Sequence, residues 1–313
     1  MQKVRTLIRK IIFFNLSILF KWKITRQLMN SIYNNLSWFN KRVFTNHIKN
    51  PGLSFTWKIK LLNGVKMINF INKNDKYQFV LGLEYHNISP QICILENEIN
   101  TCLSKEQMCF DIGANQGMRS YTFLSTSRKT FMFEPNPYLN ELNINRCRLN
   151  KFSNYKIEPI CLSNKNGSEK FYFSNDPSMS SLERDFAERR GVLKAEDVLT
   201  KTLDSYIDEN NLNVMHPYIK IDTEGHEMYV IEGAENTILR LKPTFLIEIF
   251  DKQKVKTLFM KFSKLNYEVF GVNFGDSNIL TKINKQEQLD SYSPSDYLFV
   301  YQKEVIEGLK KYI

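Results

Sequence analysis

Met108-Cys-Phe-Asp-Ile-Gly-Ala-Asn-Gln-Gly117 joins a short apolar run to an aspartate and then to two glycines separated by three residues. Glycine is scarce here, with 12 in 313 residues, so two within five positions mark a sharp turn. An apolar strand followed by such a turn and a helix is the start of a βαβ unit. The same grammar repeats downstream. Thr130–Glu134 reads as a second strand ended by Pro135, and Asn136–Asn150 as a polar-faced helix carrying Leu139, Leu142, Ile144 and Leu149. Lys156–Leu162 reads as a third strand with Gly167–Phe173 as its hairpin partner, and Thr202–Ile207 opens a short helix. Tyr218–Asp222 is a fourth strand with a helix over 225–241, and Thr244–Phe250 a fifth with a helix near 255–265. Tyr267–Val272 and Asp296–Tyr301 close the pattern as two final strands. The fold class expected is α/β, an open, doubly wound, mostly parallel sheet with helices on both faces. Residues 174–199 are polar with little periodicity and read as a surface insertion.

The charge is unevenly placed. Ten of the 43 Lys+Arg lie in residues 1–50, where there is no acidic residue, and the remainder equal the 33 Asp+Glu. The formal net charge of +10 therefore belongs to this leader, and a nucleic-acid-binding core is not expected. Ile11–Phe20 is too short to span a membrane, which needs about 20 residues, and Lys21–Arg26 stands where a signal-peptide cleavage site belongs. Basic residues mixed with Trp22, Trp38 and Phe39 suit peripheral contact with anionic lipid. Five cysteines without CxxC spacing predict reduced, buried thiols and no zinc site. The expected location is cytoplasmic, peripheral at the inner face of the membrane. The expected organisation is a leader over 1–50, a small β/α substructure over 51–103 and a catalytic domain over 104–303.

Strand-end acids carry the chemistry. Asp111, Glu134, Asp222 and Glu248 all close strands, which puts carboxylates along one edge of the sheet, where ligands collect in doubly wound folds. A dinucleotide fingerprint would have glycines at the positions of Asn115 and Met118, and Asp111 at the strand end would repel a pyrophosphate. The acid favours a cationic adenosyl ligand instead. Glu134 stands 23 residues later, the spacing at which an acid accepts both ribose hydroxyls. On the fourth strand Lys220, Asp222 and Glu224 alternate, so an extended chain would put them on one face. Asp222 and Glu224 can orient a hydroxyl or take its proton, with Lys220 holding one of them ionised. A Lys220–Glu227 ion pair is the competing arrangement. Two carboxylates without an evident third ligand assign no metal.

Phe110–Gly117, Phe133–Pro137, Thr202–Ser205, Ile219–Glu227 with Gly233-Ala234, and Pro243–Glu248 stand in the order and spacing that resemble the FkbM methyltransferases, over roughly residues 80–302. The resemblance implies a Rossmann-like, seven-stranded class I fold, S-adenosylmethionine as cofactor, and methyl transfer to a hydroxyl, often of a sugar in a surface glycan or glycolipid. It implies that Asp111, Gly113, Asn115 and Gly117 surround the methionine part, that Glu134 holds the ribose, and that Cys161, Leu162 and Ser163 lie near the adenine. His226, where a small residue is usual, and Met118-Arg119 depart from the pattern. The rival readings are an NAD(P)-dependent oxidoreductase, against which the missing glycines and Asp111 count, and a non-catalytic membrane-associated adaptor, against which four intact strand-end acids count.

Overall fold

The computed structural model describes residues 55–71 and 90–313, apart from 190, 213, 275–277 and 293. The basic leader and residues 72–89 of the expected β/α substructure lie outside the described residues. The chain forms two compact units, 1–88 and 89–313. In the first, β1 (Phe55–Lys60) and β2 (Lys66–Ile71) make an antiparallel hairpin with Phe55 opposite Ile71.

The second unit begins with α1 (Pro90–Cys102). Ile92, Leu95, Ile99 and Leu103 share a buried cluster with Cys109 and Phe123 and with Val305 and Leu309 of the C-terminal helix.

The parallel strands are β3 (Cys109–Ile112), β4 (Thr130–Phe133), β5 (Tyr155–Glu158), β9 (Tyr218–Ile221) and β10 (Thr244–Glu248). Their connecting helices are α2 (Ser120–Leu124), α3 (Pro137–Leu149), α5 (Leu203–Glu209), α6 (Glu227–Glu232), α7 (Glu235–Leu241) and α8 (Lys252–Lys264). Three of these carry clear starts: Asn136 caps α3 by accepting from the Tyr138 amide, with Pro137 at the first position, Thr202 caps α5 by accepting from the Ser205 amide, and Asp251 caps α8. The sheet is completed by β11 (Glu268–Val272), β12 (Leu280–Ile283) and β13 (Asp296–Val300), with α9 (Gln288–Ser291) before β13 and α10 (Lys303–Leu309) after it. The strand order is β12-β11-β13-β10-β9-β3-β4-β5. Every residue of β3, β4 and β9 is buried, as expected where helices cover both faces. Phe110, Phe131 and Phe133 stack on one face under Tyr206, while Leu246, Phe270 and Leu298 fill the other.

Three expectations need correction. The sheet has eight strands, not seven: β12 adds an antiparallel edge beside β11, and with only Leu280 and Ile283 buried it lacks an alternating signal. The helix expected over 225–241 is two helices broken at Gly233-Ala234, where the backbone presses on another segment; a Cβ on Gly233 would lie 2.0 Å from the Ser163 carbonyl oxygen. The third strand is also two pieces. β5 stays in the main sheet, while β6 (Cys161–Leu162) enters a three-stranded sheet of order β6-β8-β7 with β7 (Gly167–Ser174) and β8 (Val192–Lys201). The hairpin partner of β7 is β8, and residues 174–199 form an ordered arm that also holds α4 (Arg184–Glu188). Most of β8 is exposed, and its polar residues concealed it in the sequence.

Candidate functional site

Strands β3 and β9 are neighbours, and the chain winds outwards from them in opposite directions, to β4 and β5 on one side and to β10 on the other. This topological switch leaves a crevice over their carboxyl ends. Two turns border it.

The first is Gly113–Gly117. Gly113, Asn115 and Gly117 all have left-handed φ, at 76°, 48° and 69°. Gly113 admits no side chain, because a Cβ there would lie 1.8 Å from the Asp222 carbonyl oxygen. The Asn115 amide donates to Glu134 Oε2 at 2.8 Å, and the Asn136 amide donates to Glu134 Oε1 at 2.8 Å. Glu134 is buried, which pushes its carboxyl up to about 7 against the pull of those two amides. Helix α3 fixes the turn from behind: Asn143 Nδ2 donates to the Asn115 carbonyl at 2.7 Å and Arg146 Nη1 to the Gln116 carbonyl at 2.8 Å. Both side chains are fully buried. Sequence reading missed them, although Asn143 and Arg146 fall on the same helical face as Leu139 and Leu142, where a polar residue is out of place without a partner.

Asp111 is 1% exposed. Its carboxylate accepts from Ser120 Oγ at 2.7 Å and faces Lys220 Nζ at 3.5 Å. The charge is balanced within the protein beneath the turn. Ser163 is likewise committed: its hydroxyl donates to Glu169 at 3.1 Å and lies 2.9 Å from His226 Nε2. The structure thus gathers Asp111, Gly113, Asn115, Gly117 and Glu134 around one turn and places Ser163 in a separate polar network.

The second turn follows β9. The extended strand ends at Ile221, so Glu224 does not reach the site by alternation along a strand. It arrives through a left-handed residue, with φ 54°. Lys220 Nζ lies 3.1 Å from Asp222 Oδ2 and bridges to Asp111, and the competing pair with Glu227 does not form. Glu227 instead accepts the amides of Thr223 and Gly225, at 3.1 and 2.9 Å. Carboxylate oxygens of Asp222, Glu224 and Glu248 lie within 4.8 Å of one another. Glu248 stands opposite Asp296 across the β10–β13 ladder, and its part in the cluster follows from strand order.

One lysine cannot neutralise the five acids near it, Asp111, Asp222, Glu224, Glu248 and Asp296. Burial acts against Asp222, yet Lys220 and a hydrogen bond from Glu248 hold its carboxyl below the usual range. Burial lowers Lys220, but Asp222 and then Asp111 outweigh it and raise the ammonium. Burial and the Asp222 charge push Glu248 up to about 10, so it carries the proton shared with Asp222. Burial, then the Asp222 and Glu227 charges, push Glu224 up to about 8. Burial pushes Asp296 up to about 6. Three carboxylates are an oxygen set suited to a hard cation. Glu248 is the third carboxylate that the sequence did not show, and Lys220 offsets only one of the two anions it touches, Asp111 and Asp222, so the cluster keeps a negative character.

The sequence matches the methyltransferase FkbM domain over residues 111–269, half of the chain. No curated protein matches it. Among solved structures, an FkbM methyltransferase from Methylobacillus flagellatus KT aligns at 15% identity and TM-score 0.41, covering 72% of this chain and 55% of that one. The N-terminal domain of human METTL16 aligns at 10% identity and TM-score 0.41, covering 79% and 88% respectively. An rRNA methylase from Streptococcus thermophilus aligns at 12% identity and TM-score 0.39, covering 68% and 97%. The chain spans 55% of the length of the Methylobacillus protein. The matched domain contains both turns and the acids around them except Asp296, and the chain belongs to the FkbM family of S-adenosylmethionine-dependent methyltransferases.

Proposed function

We propose that the protein transfers a methyl group from S-adenosylmethionine to a hydroxyl oxygen, on a sugar of a surface glycan or glycolipid. The observation that carries this reading is the convergence of Asp222, held ionised by Lys220, and Glu224, raised to about 8, beside the glycine turn.

The first turn suits the cofactor. Glu134 spends one lone pair of each oxygen on backbone amides and keeps others for the two hydroxyls of a ribose. Asn115 Oδ1 is buried with no hydrogen-bond partner among the described residues, and the ammonium of a methionine moiety would supply a donor. Gly113 and Gly117 let the backbone approach closely, and Asp111 supports them from below through Ser120 and Lys220. Ser163, bound to His226 and Glu169, does not offer a vacant hydroxyl.

The cofactor supplies a methyl carbon on a sulfonium, which leaves as a neutral thioether. The protein must place the hydroxyl in line and accept its proton as the new carbon–oxygen bond forms. Asp222, with a low pKa, is a weak base and a strong hydrogen-bond acceptor, which fits it to orient the hydroxyl. Glu224, with its raised pKa, is the stronger base and takes the proton once it is ionised, at about pH 8 and above. Lys220 keeps Asp222 charged through the cycle. An acceptor hydroxyl is neutral, so the residual negative character of the cluster does not repel it.

The sugar acceptor rests on the family resemblance. The basic leader would hold the enzyme near anionic membrane, where lipid-linked glycans are assembled. No helix among the described residues is long and apolar enough to cross a membrane. Incubation with methyl-tritiated S-adenosylmethionine and a panel of oligosaccharides and lipid-linked glycans tests the reading. Label in a sugar fraction that survives mild alkali, as an ether does and an ester does not, is the expected result. Label confined to protein, RNA or an alkali-labile product would overturn it. Sedimentation of the full chain with phosphatidylglycerol vesicles, but not with phosphatidylcholine vesicles, is the expected behaviour of the leader; equal partitioning rejects it.

A further inference from the structure

The β7–β8 arm reaches the turn after β9 through one small, buried side chain. Ser181 Oγ donates to the carbonyls of Thr223 at 3.1 Å and Glu224 at 3.0 Å, and accepts from the Glu183 amide at 2.9 Å. Ser181 is held in place by an antiparallel bridge to Tyr172 of β7. Two neighbours continue the seam: Glu183 Oε1 lies 2.8 Å from His226 Nδ1, and the Phe186 ring fills the space that a Cβ on Gly225 would need. From the other side, Lys254 Nζ of α8 donates to the Gly225 carbonyl at 3.2 Å.

Glutamate is a poor occupant of the left-handed region, and a residue stays there only when its surroundings impose it. Inside the turn, Glu227 fixes the amides on either side of Glu224. Among the described residues, the carbonyls of residues 223 and 224 are held only from outside, by a hydroxyl that belongs to the arm.

We propose that Ser181 is the positioning residue for Glu224, its hydroxyl holding the 223–225 turn in the left-handed conformation that brings the Glu224 carboxyl within reach of Asp222 and Glu248. The arm is thereby part of the catalytic apparatus without touching the reacting atoms. This builds on the reading of Glu224 as proton acceptor, although the contacts themselves do not depend on it.

A double-mutant cycle on the full chain tests it, combining Ser181→Ala with Glu224→Gly and reading thermal unfolding. Glycine takes φ 54° without strain, so the turn no longer needs an external hold. Ser181→Ala is expected to lower the midpoint by about 3 °C in the parent chain and by under about 1 °C in the Glu224→Gly background. Equal losses in both backgrounds would mean that Ser181 is only a buried hydroxyl, and would overturn the proposal. Should Ser181→Ala not fold, Ser181→Cys, close in size and a weaker donor, takes its place in the cycle. Ser181→Thr, which keeps the donor, is expected to restore the coupling. Calorimetry with S-adenosylhomocysteine is expected to give Ser181→Ala the parent affinity within about twofold; loss of cofactor binding would mark general damage and refute a role confined to this turn. The cycle reads backbone conformation alone. Full methyl transfer by Glu224→Gln would remove Glu224 as the base and leave the measured coupling between Ser181 and the turn intact.

Discussion

The two turns that border the crevice solve the same backbone problem with opposite chemistry. Gly113–Gly117 and Asp222–His226 both leave a buried parallel strand, both contain left-handed residues, and both lead into a helix. The first uses residues that adopt this conformation cheaply, two glycines and an asparagine. Its support comes from α3, the helix of the next βαβ unit, through Asn143 and Arg146. The second puts a glutamate at φ 54°, and much of its support comes from a distant arm. The difference separates a turn built to cradle from a turn built to aim. Backbone strain collects where a side chain must be delivered to a reaction, and the surrounding structure bears its cost.

Substitutions at the two turns should separate binding from turnover, and the largest effect belongs to the point where they meet. Gly113→Ala drives a Cβ into the Asp222 carbonyl and should cost about 3 kcal/mol or more in denaturant unfolding. A variant with parental stability would break the claim that the turns are in backbone contact.

Glu224→Gln should slow methyl transfer about 1,000-fold while leaving S-adenosylhomocysteine affinity unchanged by calorimetry. The pH profile sharpens this. Glu224 is raised to about 8, so it is protonated and unable to accept a proton below that value. Initial rates should climb with pH up to about 8 and level off above it, and Glu224→Gln should lose this limb. A pH-independent parental rate would exclude Glu224 as the base.

On the cradle side the signature reverses. Glu134→Ala should weaken S-adenosylhomocysteine binding about 100-fold and largely spare turnover at saturating cofactor. Asn143→Ala, one step removed, should weaken it about tenfold, again with turnover intact. If Asn143→Ala lowered turnover at saturating cofactor as strongly as it lowered affinity, the two turns would not be functionally separate.

The sequence made one turn far more legible than the other. Glycine identity at 113 and 117 and the spacing to Glu134 are local signals, and the structure joins the turn to Glu134 through the Asn115 amide. Lys220 and Asp222 were also readable, being two residues apart at a strand end. Glu248 and Asp296 were harder, because they become neighbours only once β13 inserts between β10 and β11. Glu224 was placed on the right side by assuming an extended chain, although the chain has already turned there. Ser181 left no signal at all: one serine in a polar stretch gains meaning only when β7 and β8 fold back and set it on two carbonyls. Asp111 shows the converse. Its position at the strand end was plain, but its partner Lys220 lies 109 residues away in the chain and reaches it only across the β3–β9 pairing.

The approach of Gly113 to the Asp222 carbonyl carries a consequence for divergence. The amide of Asp222 also donates to the Ile112 carbonyl at 3.1 Å, so main chain meets main chain on both sides of the crevice floor. No side chain acts as a spacer between the first turn and the second at this point. On the proposed reading, the gap between methyl donor and acceptor is therefore set by the strand pairing, and the arm can be remodelled for new acceptors provided that it keeps one hydroxyl at position 181.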